Sequence, residues 1–88
     1  MLRTAPSPTR ITASGTIDSS RGFLHYVVLT AGDSAAASLA LVDGSNTILT
    51  IKAAAGTTEH VMLPNTRYSS LSATLTGTGA EATVGTSK

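Results

Sequence analysis

Apolar side chains alternate with small polar ones along most of this chain. The pattern is cleanest at 71–84, where Leu71, Ala73 and Leu75 alternate with Ser72, Thr74 and Thr76. Gly77-Thr78-Gly79 follows, and then Ala80, Ala82 and Val84 alternate with Glu81 and Thr83. A period of two sends one set to a buried face and the other to solvent. The spacing therefore predicts a half-buried antiparallel hairpin closed by the glycine turn.

Upstream, Ile11, Ala13 and Ile17 alternate with Thr12, Ser14 and Thr16, which predicts a strand from Arg10 with Gly15 as a bulge. After the turn cluster Asp18-Ser19-Ser20-Arg21-Gly22 comes FLHYVVLT at 23–30, the most β-prone run present. Leu24, Tyr26 and Val28 would share one side, and Phe23, His25, Val27 and Leu29 the other. A strand apolar on both sides is expected to be central, or covered on its second face.

Ala35, Ala37, Leu39 and Leu41 then share a face, and Asp43-Gly44-Ser45-Asn46 is a hairpin signal leading into a strand at 47–53. The three alanines at 53–55 suit a single turn, cut off by Gly56, Thr57 and Thr58. Residues 57–63 alternate toward Val61 and Leu63 and are expected to stop at Pro64, with Pro64-Asn65-Thr66 as a corner. The tally is about seven or eight short strands with turns every eight to twelve residues, an all-β antiparallel sandwich or jelly roll over residues 10–88. Residues 1–9, with Pro6 and Pro8, read as an extended N-terminal arm.

At 88 residues the chain has room for one domain with one thin core, and an aromatic content of 3% leaves few large side chains to fill it. There is no cysteine to staple it. Oligomerisation or docking on a larger assembly is the expected remedy. A net charge of +1 with 12% charged residues gives no broad footprint for nucleic acid or an anionic membrane. No apolar run approaches the roughly 18–20 residues of a membrane helix, and prolines follow the start where a leader would be hydrophobic. The expectation is a soluble protein made without a cleaved leader.

Candidate chemistry is sparse. His25 reads as a satisfied, partly buried histidine, against a pH-sensitive element in a subunit contact. His60 and Glu59 are adjacent on a strand and so point to opposite faces, which argues against a metal or acid/base pair. Asp18, Asp33 and Asp43 sit in turn clusters, where carboxylates bond to nearby backbone, and none has calcium-loop spacing. Ser14-Gly15 is no nucleophile elbow, and Gly77-Thr78-Gly79 lacks the lysine and helix of a phosphate loop. No enzyme activity, cofactor or metal is expected. Phe23, Tyr26 and Tyr68 are expected in or near the core, with Tyr68, beside Arg67 at a corner, the one placed for exposure. The arm, with Arg3, Pro6, Pro8 and Arg10, either docks across a neighbour at low entropic cost or frays as termini do.

Taken together, ITASGTI, LTAGDSAAASLALVDGSNTILTIKAAAGTTEHVMLP and LSATLTGTGAEATV resemble small β-sandwich virion proteins of tailed bacteriophages, over about residues 10–86. The likeness lies in strand and turn patterns and carries over no functional residue. It implies a structural role as a capsid decoration or cement protein, a trimer that bridges subunits of the major capsid protein on the virion surface after synthesis in the host cytoplasm. Its alternatives are a tail or fibre module that binds host surface glycan, and a head–tail joining component.

Overall fold

The computed structural model of the chain describes residues 7–88, and all of them before Lys88 lie in strands or the connections between. Eight strands form: β1 (Ser7–Ile11), β2 (Gly15–Asp18), β3 (Gly22–Thr30), β4 (Ala37–Asp43), β5 (Asn46–Ala53), β6 (Thr58–Tyr68), β7 (Leu71–Thr76) and β8 (Glu81–Ser87). They make two four-stranded antiparallel sheets, ordered β1-β8-β3-β6 and β2-β7-β4-β5. The protein is an antiparallel β-sandwich, as the alternation predicts.

Between the sheets lie Leu24, Val27, Leu29, Leu39, Leu41, Leu71, Val84 and Tyr68, with Ile11, Ile17, Leu49, Ile51, Leu63 and Leu75 packed around them. Six of the fourteen buried hydrophobic residues are alanines, so the core is thin and little apolar area is withdrawn from water per residue.

β4 and β5 form a hairpin through a two-residue turn at Gly44-Ser45, with Asp43 opposite Asn46. Among the described residues it is the one hairpin; the other connections cross between sheets. The alternation at 71–84 is real, yet β7 lies in one sheet and β8 in the other, so the expected hairpin is an arch over the core. Period two fits both arrangements equally, because each buries the same residues. The corner is made by Gly77, at φ +124°, whose carbonyl accepts from the Ala80 N–H at 3.2 Å.

The run from Arg10 to Ile17 is likewise split. It bends at 12–14, and its halves join opposite sheets as the end of β1 and most of β2. Ser14 bridges the break: its hydroxyl accepts from the Leu75 N–H at 2.9 Å and donates to the Leu75 carbonyl, imitating a ladder rung. Ser7, Pro8 and Thr9, expected in the arm, instead pair with Thr86, Gly85 and Val84 of β8. β1 is an edge strand, where proline is tolerated. The rest of the arm, 1–6, lies outside the described residues.

β3 is central, between β8 and β6, as expected. Its two-sided pattern resolves differently. Pairing shifts between Leu24 and Tyr26, a bulge at His25, and the phase of alternation changes there. Leu24, Val27 and Leu29 all face the core, whereas simple alternation separates Leu24 from the other two. The same irregularity on β6 lets that strand continue through Pro64, the expected stop, since the proline falls where pairing is interrupted on an edge strand.

A methyl group on Gly77 would stand 2.6 Å from the Ala36 carbonyl oxygen, at a φ that L-residues avoid. Gly77→Ala is expected to destabilise by about 2 kcal/mol, read as a lower urea midpoint. Gly15→Ala, with nothing within 4 Å of the new methyl, should leave the midpoint nearly unchanged.

Candidate docking face and basic cleft

The two outer faces of the sandwich differ in chemistry. On the β2-β7-β4-β5 sheet the residues between the buried positions are Thr16, Ser72, Thr74, Thr76, Ser38, Ala40, Val42, Thr50 and Lys52. Six of these nine are threonine or serine, side chains that suit strands, and none is aromatic.

The bulge at His25 gives the other sheet a different exterior. With Leu24, Val27 and Leu29 turned inward, Phe23, Tyr26 and Val28 are left half-buried on the outside of β3. Register then sets two rows across this sheet: Pro8, Gly85, Tyr26 and Met62, and beside it Arg10, Thr83, Val28 and His60. Met62 is 70% exposed, the one large hydrophobic so exposed among the described residues. The Tyr26 ring lies directly over Gly85, where a methyl group would come within 2.0 Å of Cε2, and it meets the His60 ring edge-to-face at 6.4 Å. A side chain at 85 would lift the tyrosine away; glycine lets it lie flat against the sheet.

Of the residues singled out in the arm, Pro8 and Arg10 are brought onto this face. Arg10 donates to Glu81 Oε2 at 2.6 Å with both side chains well exposed, a pairing of small energetic value. Arg3 and Pro6 lie outside the described residues. His25 bonds through Nε2 to Ser87 Oγ at 2.6 Å. His60 sits opposite Val28, and Glu59 opposite Leu29, so the two point apart as alternation requires. Among the described residues no cluster of histidine, cysteine and carboxylate side chains is placed to hold a metal ion, and no helix is long and apolar enough to cross a membrane.

At the end of the sandwich where β3 begins, an open cleft of about 430 Å³ is lined by Arg21, Gly22, Phe23, Arg67, Ser69 and Lys88. Under it lies a polar network. Tyr68, the aromatic whose corner position left exposure open, is 1% exposed and so lies in the core with its hydroxyl donating to Asp18 Oδ2 at 2.6 Å. Lys88 Nζ donates to the same oxygen, to Ser20 Oγ and to the Arg21 carbonyl. Asp18 also caps its own turn, its Oδ1 accepting from the Ser20 N–H at 3.1 Å. Asp43 closes the neighbouring corner, where Oδ1 accepts from the N–H groups of Ser69 and Ser70. Asp18 thus sets its turn as expected, while Asp43 serves a connection 26 residues away.

Lysine 88 first, then Tyr68 and Ser20, hold the Asp18 carboxyl far below the usual carboxylate range. Burial first, and then the Asp18 carboxylate, push the Tyr68 hydroxyl up to about 12. Lys88 is neutralised by Asp18. Arg21 and Arg67 have no carboxylate within salt-bridge distance among the described residues.

Sequence reasoning missed the two features that could bind something. Met62 was legible, since it alternates with Val61 and Leu63. Tyr26 and Phe23 were not, because their outward position depends on the bulge. Arg21 and Arg67 are 46 positions apart, and only the pairing of Phe23 with Arg67 brings them to one cleft. Comparison with known proteins brings no match to a family model, to a curated protein or to a solved structure.

Because its folded value is raised, the Tyr68 hydroxyl contributes stability that is whole below pH 10 and lost as pH rises toward 12. The Asp18 carboxyl, lowered from 3.8, contributes stability present above that pH and lost as the solution is acidified. Urea midpoints measured against pH should fall on both flanks. Tyr68→Phe should cost about 1–2 kcal/mol at neutral pH and flatten the alkaline flank, and Asp18→Asn should flatten the acid one.

Proposed function

We propose that this chain is a non-enzymatic structural protein of a tailed-phage virion: a capsid decoration or cement protein that bridges subunits of the major capsid protein. The observation that carries this reading is the asymmetry of the two exteriors. One is mostly threonine and serine, with Ala40, Val42 and Lys52 among them and no aromatic; the other presents Phe23, Tyr26, Val28 and the exposed Met62 on a rigid sheet. Aromatic and methionine side chains held on rigid strands are the residue types that anchor protein contacts. The thin, alanine-rich core supports it as well, because a domain with so little apolar burial gains from a partner.

The mechanism is linkage. A protein that binds only the assembled shell adds its binding free energy to the stability of that shell. Repetition over a lattice multiplies a modest contact. Trimerisation and a contribution from residues 1–6 belong to the same proposal, with β1 carrying the chain onto the docking face at Pro8.

Sedimenting the protein with expanded and unexpanded capsids, after its oligomeric state is measured by light scattering, tests the reading. A trimer that pellets with at least one form of the shell is expected. Met62→Asp should weaken shell binding by about tenfold or more while leaving the melting temperature unchanged, since Met62 is exposed. Failure to pellet with either shell sinks the proposal.

A further inference from the structure

We infer that the cleft between Arg21 and Arg67 is a carboxylate-binding site that takes an acidic segment of a partner protein. The inference deepens the docking proposal by naming the partner's chemistry, and it rests on that reading only for the partner's being a protein.

Three cations line the cleft, and their states differ. Lys88 is held by Asp18, Ser20 and the Arg21 carbonyl, so its charge is already answered. Asp43, the other acid nearby, has an oxygen occupied by the Ser69 and Ser70 N–H groups. Arg21 and Arg67 are exposed, with no carboxylate in reach among the described residues. Guanidinium groups are planar forks that match a carboxylate through two parallel hydrogen bonds, and two such forks bordering one cleft favour that geometry.

The remaining lining narrows the ligand. Phe23 forms an apolar wall and is the cross-strand neighbour of Arg67, so an anion entering here meets hydrocarbon as well as charge. That favours an oxyanion carried on an aliphatic stem, as in glutamate and aspartate, over a fully hydrated inorganic anion. Ser69 is the one hydroxyl side chain in the lining, too few neutral polar groups to orient a sugar. A nucleic acid would need a longer basic track than a chain of net charge +1 supplies. Phe23 also begins the apolar strip that runs on through Tyr26 beside Met62. A segment with acidic residues next to apolar ones therefore matches the cleft and the face together.

The test is a titration of the full-length chain followed by amide and arginine side-chain N–H resonances. The probes are a blocked tetrapeptide of two leucines flanking two glutamates, its glutamine counterpart, inorganic phosphate, and free sialic acid. The glutamate peptide should give saturable shifts at Arg21, Phe23 and Arg67, with an affinity about tenfold or more above that of each other probe. Added salt should weaken it. Arg21→Gln and Arg67→Gln, both at exposed positions, should keep the melting temperature and lose the binding. The inference is overturned by the absence of saturable shifts with the glutamate peptide. It is overturned equally by phosphate, the glutamine peptide or sialic acid binding as well, or by either arginine variant binding like the parent. None of these results alters the shell-sedimentation outcome, which turns on Met62, so the two readings fail separately.

Discussion

A β-strand has only two sides, and β3 carries more large side chains than one core can take. The bulge at His25 resolves the excess. By advancing the phase one residue, it brings Leu24, Val27 and Leu29 onto the same inner surface and leaves Phe23, Tyr26 and Val28 outside. Without it, a single face would hold Leu24 together with Tyr26 and Val28, and the hydrophobic contents of core and exterior would be exchanged along half the strand. The apolar exterior of this sheet and the pairing of Tyr26 with Gly85 and Met62 follow from this one irregularity.

What holds the sheets in register is polar and local to the ends. Most of the connections cross between sheets, so each corner must satisfy backbone groups that no ladder serves. Ser14 does this for Leu75, Asp43 for Ser69 and Ser70, and Asp18 ties the β2 end to Tyr68 and Lys88. Tyr68 is the largest fully buried side chain, and its hydroxyl has a charged acceptor. Among the described residues no buried side-chain nitrogen or oxygen lacks a hydrogen-bond partner. In a domain with six alanines among fourteen core residues, that completeness matters more than usual, because apolar burial alone leaves little margin.

The functional reading grows from the difference between the two exteriors and not from any reactive group. Both histidines make ordinary contacts, His25 with Ser87 and His60 with Tyr26. The surface instead offers shape, an apolar strip and a pair of arginines at its end. Such a surface suits contact with another macromolecule, where rigidity of the strands limits the entropy lost on binding.

Fold class was legible because side-chain alternation is a local property: Leu39, Leu41, Leu71, Ala73, Ala82 and Val84 are buried where period two puts them. The hairpin at 43–46 was legible too, since a two-residue turn fixes its own pairing. Pairing across longer connections was not. The runs at 71–76 and 81–87 bury the same residues as a hairpin or as an arch, and the choice between them is made by β4, β2, β3 and β1, which are distant in sequence. The cleft is of the same kind, because Arg21 and Arg67 meet only when β3 pairs with β6. The sequence alone determined which side chains leave water, a matter of local periodicity; tertiary structure decided which of them face one another, since strand partnership depends on the whole sandwich competing for the same core.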